Sequence, residues 1–472
     1  MSRPTDARPA DLLAGEAAHA ELVEHLRALI RLRTVNPPGD EILAARYLAD
    51  VLAAEGLAPE VLEPFPGRGS VVARLRGDGT GGGPLLLLSH LDVVPVEAAR
   101  WSHEPFGAQV VDGVIYGRGA LDMKAMVAME LQVALGLARE ARAAGVDPAR
   151  DAMPGLRRDV IFAATADEEA GGSAGIGWIV DQRPELVQAD AALNEAGGMT
   201  VELLGRHFYP VQVAEKGYAW VRIGVNGTPG HASMPRADNA AVLAARVIER
   251  LARPLERRVV PVMEAAIRAL ADALDGAARD RALRLLEADP AAAEAALDEL
   301  CVAPAQRRAL RAVLRDTVSP TVVHGGLKYN VIPGRAEIEL DVRPLPGTTP
   351  EMVLAMLRER IGEELWPACQ VEIVRFGQPL LQPTAHPLLD LIGAVLRAHD
   401  PAAIPLPVMA PFATDAKHTV RLGIPTYGFS PLRLAPGEPF LELFHGDDER
   451  VSLDALRWGL PVLDEVVRRY CG

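Results

Sequence analysis

Five segments of this 472-residue chain carry imidazole or carboxylate groups where a divalent cation could gather them. The first is Ser89-His90-Leu91-Asp92, after the apolar run Leu85–Leu88. An H-x-D pair after a strand can put the His on a metal while the Asp orients its ring. Read alone, such a pair is more often structural, a buried His with an Asp partner. The second, Gly117-Arg118-Gly119-Ala120-Leu121-Asp122-Met123-Lys124, sets Asp122 at the mouth of a helix. Its plain alternative is an N-cap. The third, Asp167-Glu168-Glu169, follows Val160-Ile161-Phe162-Ala163-Ala164. Adjacent carboxylates at the end of an apolar strand repel one another and lose solvation, which a cation relieves. The alternative is a solvated acidic loop. Glu195 of Asn194-Glu195-Ala196-Gly197-Gly198 and His445 of Phe444-His445-Gly446-Asp447-Asp448-Glu449 complete the set.

Two His and three carboxylates, expected at separate strand ends, are what a two-metal hydrolase requires. Imidazole and carboxylate suit zinc, with cobalt or manganese as substitutes. Two ions about 3.5 Å apart share a bridging carboxylate and activate a water near neutral pH. A further carboxylate must stay off the metals as general base.

The elements that position these groups alternate. Residues 15–56 read as helical with an extended break at Val35-Asn36-Pro37-Pro38. Strands are expected at Val71–Leu75, Leu85–Ser89, Val110–Tyr116, Asp159–Ala164 and Ala191–Asn194, with helices at 122–144 and from Ser173. Such alternation implies an α/β fold, a mostly parallel sheet sandwiched by helices. After Glu215 the pattern becomes α+β, with strands Tyr218–Val225, Thr321–His324, Arg335–Val342 and Gln370–Val374 and helices at 238–252 and Pro350–Glu363. The Ala-, Arg-, Leu- and Glu-rich stretch 254–316 reads as a helical insertion. From about Pro383 the first pattern returns and ends in a helix from Ser452. The expected division is therefore 1–214 and 380–472 as a discontinuous catalytic domain. Residues 215–379 are an inserted smaller lid or dimerisation domain.

Composition narrows the partners. A formal net charge of −14 argues against nucleic acid, whose phosphates need a basic face. Cys301, Cys369 and Cys471 are too few and too far apart for a disulfide framework and fit a reducing cytoplasm. The N-terminal MSRPTDARPADLL lacks the apolar run of a signal peptide, and PLLLLSHLDVV is too short to span a bilayer. No membrane association is expected. Lysine occurs at 124, 216, 328 and 417 alone, each within or beside a motif. Either these sites need a compact ammonium, or the placement is chance.

The segments SHLDVVP, GRGALDMK, DEEAGG, NEAGG, GHASMP, NVIP, DVRP and FHGDDERV stand in an order that resembles one family. It comprises the zinc metallopeptidases that include carboxypeptidase G, carboxypeptidase S, aminoacylase, acetylornithine deacetylase and succinyl-diaminopimelate desuccinylase. The likeness runs from about Val35 to the C-terminus. Tyr427-Gly428-Phe429-Ser430-Pro431 and the helical insertion make it most similar to the carboxypeptidase S and aminoacylase branch. The resemblance implies two zinc ions per subunit, bridged by Asp122. His90 and Glu195 hold one ion, Glu169 and His445 the other. Glu168 is the general base and Asp92 supports His90. It further implies that His231 of GHASMP, commonly from the partner subunit of a homodimer, polarises the scissile carbonyl. Asn330 and Arg343 bind substrate, Arg343 on its carboxylate. Outside the family, His231 could be a loop His and Arg343 an ordinary strand-end charge. A cis peptide after Asp122 and hinges near Ala214-Glu215 and Gln378-Pro379 are also expected.

The function expected is cleavage of an amide bond beside a free carboxylate, in an N-acyl amino acid or a short peptide. An aminopeptidase or dipeptidase of the same family is the alternative, in which the position of Glu195 resembles Asp more often. A non-catalytic binding protein is the third reading. Retention of Glu168 and all five ligands argues against it.

Overall fold

The computed structural model describes Leu13, residues 15–300 and residues 303–472. The N-terminal segment on which the no-leader expectation rests and Cys301 lie outside the described residues. Cys369 and Cys471 are free thiols. Among the described residues no helix is long and apolar enough to cross a membrane.

Leu85–His90 and Val160–Thr165 are buried along their whole length. Continuous apolar strands of this kind belong in the middle of a sheet covered on both faces. They pair in parallel, Leu88 opposite Ala163 and His90 opposite Thr165. Ala191–Asn194 joins the free side of Leu85–His90 in parallel, and Thr426–Gly428 extends it, again in parallel. The flanks are antiparallel: Glu60–Phe65 and Arg68–Leu75 on one side, Arg206–Glu215 on the other. Leu86, Leu88, Ile161 and Ala163 pack under the helix Ile176–Gln182. The buried helices Lys124–Ala143 and Leu453–Cys471 also pack on Leu85–His90. This is an α/β fold with a mostly parallel centre.

The chain divides into two compact units. The first comprises residues up to Val213 with 382–407 and 414–472, the second 214–381 with 408–413. In the second, four antiparallel strands run in the order Thr317–Gly325, Arg335–Arg343, Tyr218–Asn226, Cys369–Gly377. Val221 pairs with Leu340 and Ile223 with Ile338. Strand alternation sends these residues to one face, under the helices Ala240–Leu251 and Pro350–Ile361. Asn239 caps the first helix by accepting from the Ala241 N–H, and Thr349 caps the second through Met352. Four helices, Pro261–Asp272, Gly276–Arg284, Pro290–Leu300 and Pro304–Val313, occupy the segment between.

Local expectations differ from the fold in identifiable places. Val110–Tyr116 is a tight hairpin, Gln109–Val111 and Val114–Tyr116, reversing at Asp112-Gly113 where φ is 49° and 76°. The D-G pair is the turn signal that an unbroken strand overlooks. Arg206–Glu215 is a ten-residue strand absent from the expected set. The bridge from the first to the second pattern hid it.

A candidate two-metal centre

His90 is the last residue of a central strand, and its ring is 1% exposed. Nδ1 lies 3.1 Å from the Asp92 carbonyl oxygen, the contact of an N–H donor, which leaves Nε2 as the ligand atom. That Nε2 stands 3.2 Å from Asp122 Oδ1 and 3.7 Å from Glu195 Oε2. On the other side, His445 Nε2 stands 3.3 Å from Asp122 Oδ2 and 3.1 Å from Glu169 Oε2. One oxygen of Asp122 therefore faces each imidazole, and each imidazole has its own glutamate. Two overlapping triads, His90–Asp122–Glu169 and His90–Glu168–Glu195, also have donor atoms within 4.8 Å of one another. The pairing through Asp122 is the finer sorting, because it uses both carboxylate oxygens and includes His445.

The sequence reading put every ligand at a strand end, and this needs correction. His90, Glu168, Glu169 and Glu195 follow strands of the large sheet. Asp122 sits instead in the turn before the helix Lys124–Ala143, and the Asp122–Met123 peptide is cis, as expected. His445 lies between the short helix Phe440–Leu443 and the strand Arg450–Ser452, with its side chain 55% exposed. The N-cap alternative for Asp122 is also set aside, since Met123 takes the cap position without a side-chain bond.

Backbone conformation marks the site. Asp167, Ala196 and His445, each a ligand or next to a candidate site residue, have φ of 75°, 71° and 58°. Non-glycine residues hold this region only where their surroundings over-determine it. For Asp167 the surroundings are visible: Oδ1 accepts from Arg68 Nη2 at 2.5 Å and Oδ2 from the Ala174 N–H at 2.8 Å. Asp92 does more than support His90. Its two carboxylate oxygens accept the backbone N–H groups of Glu168 (3.1 Å) and Glu169 (3.0 Å), and Asn36 Nδ2 donates to it at 2.8 Å.

The electrostatics fit a cation. Burial pushes Glu195 up to about 8 and Glu169 up to about 7, with the charge of Asp122 adding to both. Hydrogen bonds that its ring donates to Asp122 and Glu169 push His445 up to about 10. Burial opposes a charged His90, but Asp122, Asp92 and Glu195 outweigh it and raise the ring well above its usual 6.5. Burial likewise opposes a charged Asp122, yet both imidazoles hold it well below the carboxylate range. Three carboxylates and two imidazoles packed this closely must otherwise share protons. Divalent cations satisfy the same donor set.

The family model for Peptidase family M20/M25/M40 matches residues 86–469. The chain belongs to this family. It is therefore a metal-dependent hydrolase of amide or peptide bonds. Human aminoacylase-1 is 27% identical over 432 residues, covering 90% of this chain and 89% of that protein. The Xenopus tropicalis N-fatty-acyl-amino acid synthase/hydrolase PM20D1 is 27% identical over 466 residues, covering 93% and 84%. Among solved structures, the M20 family metallo-carboxypeptidase Sso-CP2 from Sulfolobus solfataricus superposes with a TM-score of 0.68 at 18% identity, covering 95% of this chain and 99% of that one. This last likeness speaks to the fold.

The remaining M20 site candidates, His231, Asn330 and Arg343, belong to the second unit. Gly230–His231 and Val331–Ile332 form a two-stranded ribbon, and the Ala232 N–H donates to the Asn330 carbonyl at 3.1 Å. The Ser233 N–H donates to His231 Nδ1 at 3.2 Å, so in the neutral ring Nε2 carries the proton. Arg343 ends the strand Arg335–Arg343, its fork engaged by Asp341 at 2.7 and 3.0 Å. The ribbon continues from the opposite end of that strand, where Asn226 pairs with Arg335. Eight residues of strand span about 27 Å.

Two further residues support the site. Glu449, four residues after His445, is wholly buried and bonds the loop of Asp122. Lys417 reaches Glu168. Scarcity was the available signal for Lys417. Three of the four lysines turn out to be bonded in the interior: Lys124 Nζ to the Leu29 and Leu32 carbonyls, Lys216 Nζ to those of Ala312 and Arg315, and Lys417 to Glu168.

Proposed function

We propose that the protein is a dinuclear zinc amidohydrolase that cleaves an amide bond next to a free carboxylate, in an N-acyl amino acid or a short peptide. The observation that carries this reading is Asp122, with one oxygen toward His90 and the other toward His445. His90, Asp122 and Glu195 would hold one ion, and His445, Asp122 and Glu169 the other. When bound, the ions supply Lewis acidity for the carbonyl and for an attacking water. The chain's own residues move the protons. Glu168 takes a proton from the water as its oxygen bonds to the carbonyl carbon. It returns that proton to the nitrogen as the C–N bond breaks, so that acid and amine leave neutral overall. His231 Nε2–H donates to the carbonyl oxygen, Asn330 binds the substrate beside it, and Arg343 takes the carboxylate.

The place of His231 beyond the Arg335 end of the strand that Arg343 closes is the feature that would suit a homodimer in which the partner subunit completes the site. The two relatives at 27% identity, an aminoacylase and an N-fatty-acyl-amino acid synthase/hydrolase, favour an N-acyl amino acid over an unblocked dipeptide.

Two measurements test the reading. Zinc-loaded protein should hold two equivalents of tightly bound metal, and Asp122→Ala should lose both. A panel of N-acetyl amino acids should be hydrolysed faster than unblocked dipeptides. Two tight ions in the Asp122 variant, or turnover confined to the dipeptides, would sink it.

A further inference from the structure

The segment Thr414-Asp415-Ala416-Lys417-His418 has no part in the roles assigned so far, yet it makes three side-chain contacts to the chain around Glu168. Thr165 Oγ1 donates to Asp415 Oδ2 at 3.3 Å. Lys417 Nζ donates to Glu168 Oε1 at 3.3 Å. The His418 ring donates from Nε2 to the Gly171 carbonyl at 2.9 Å. The middle contact bears on the chemistry.

The Glu168 backbone is fixed by Asp92, but three side-chain torsions separate that backbone from the carboxylate. A general base must present one oxygen within hydrogen-bond reach of the proton it takes. Its neighbours push the wrong way. Glu195 and Asp122 lie in the same cluster, and the charge on Glu168 is felt at Glu195. Lys417 supplies an opposing attraction. Asp415, whose side chain is 2% exposed, lies beside it with Oδ1 3.7 Å from Nζ. Lys417 and Glu168 side chains are each 11% exposed, so the pair is shielded from most of the screening that weakens surface ion pairs.

We propose that Lys417 is a positioning residue for the general base: its ammonium holds Glu168 Oε1 and leaves Oε2 to meet the proton of the attacking water. The proposal rests on the assignment of Glu168 as base. Loss of the clamp leaves metal and substrate binding in place and lowers the fraction of complexes with Glu168 aimed correctly. Misplacement of a reacting group by about 1 Å costs about 100-fold in rate.

The test uses zinc-loaded full-length protein and the N-acetyl amino acid turned over fastest in the panel. Lys417→Met, Lys417→Arg, Glu168→Gln and the double variant Lys417→Met/Glu168→Gln are compared for kcat, KM, zinc content and Tm. Lys417→Met should lower kcat about 10–100-fold with KM within about twofold and zinc retained. Lys417→Arg should recover most of the loss, because a guanidinium still offers a cation at that place. In the Glu168→Gln background the Lys417 change should add nothing, since both act through one group. Unchanged kcat in Lys417→Met, a loss confined to KM or zinc, or a full further loss in the double variant would each overturn the proposal. An active Glu168→Gln enzyme would instead remove the base assignment itself. If Lys417→Met fails to fold, Lys417→Gln is read in its place. If no panel member is turned over, crystal structures decide: Glu168 in the same rotamer in the parent and in Lys417→Met excludes the clamp.

Discussion

Glu449 lies beneath Asp122 and accepts its backbone N–H on Oε1 at 2.9 Å. The same oxygen accepts from Leu121 at 2.7 Å, while Oε2 accepts from Gly119 at 3.0 Å and from Arg118 Nη1 at 2.7 Å. Since Glu449 follows His445 by four residues, one buried carboxylate ties together the loops of two ligands. Glu449→Ala leaves the Arg118 charge buried without its ion-pair partner, along with three backbone donors, and should cost about 3–5 kcal/mol of stability. Glu449→Gln keeps the volume but turns an amide N–H₂ toward donors, and should weaken zinc binding about 10–100-fold. Denaturant unfolding of the zinc-free protein and zinc titration of the Gln variant check the two effects. Wild-type values in both would show that Glu449 supports nothing.

Glu168 and Glu169 are adjacent in sequence and opposite in assigned role. Glu169 Oε2 touches His445 at 3.1 Å, whereas Glu168 Oε1 is turned to Lys417. Glu168→Gln should keep both zinc ions and lose about 10²-fold or more in kcat. Glu169→Gln should lose affinity for one ion. Metal analysis beside steady-state kinetics separates them, and exchanged phenotypes would exchange the roles.

His418 gives the zinc-free protein an acid limit. Burial lowers its pKa to about 4, below the ordinary 6.5, while the Gly171 carbonyl partly opposes the shift. The folded state therefore favours the neutral ring. Above pH 6.5 neither folded nor unfolded chain binds this proton, and the His418 contribution is intact. As pH falls from 6.5 towards 4 the unfolded chain takes up a proton that the folded chain refuses, and stability drops by about 2–3 kcal/mol. His418→Gln retains a side-chain N–H for Gly171 and removes the titration. Its unfolding free energy should fall less between pH 7.5 and 4.5 than that of the parent. Parallel curves would exclude His418 as a source of the limit.

The large sheet was legible because burial on both faces writes itself as unbroken apolar runs such as Leu85–Leu88, and His90, Glu168, Glu169 and Glu195 stood out because they follow such runs. His445 was harder, because no strand precedes it and only its place in a series of motifs marks it. The partners of Glu449 and Lys417 were not legible, for a physical reason. Their function lies in what they touch 249 to 331 residues away, and spacing along the chain carries no trace of that. Arg206–Glu215 was missed for a different reason. Flanking turns and an internal Pro210 make it look like a connection, yet it pairs antiparallel at Gly428 and Gln212.

The geometry of the second unit bears on subunit number. His231 lies on the ribbon and Asn330 beside it, beyond the Arg335 end of the strand Arg335–Arg343, and Arg343 closes the other end. A substrate that places its carboxylate on Arg343 and its scissile carbonyl on His231 is a small molecule with those groups a few bonds apart. In the proposed two-fold dimer each chain would supply His231 to the other chain's site. Mixing two inactive proteins, Glu168→Gln and His231→Ala, should then restore activity. A hybrid dimer holds one site in which Glu168 and the contributed His231 are both intact. With random exchange of equal amounts, about half the dimers are hybrid, and about one quarter of parental activity should return. Subunit exchange is followed independently by native mass spectrometry. Exchange without recovery would mean that His231 serves its own chain or takes no part in the reaction.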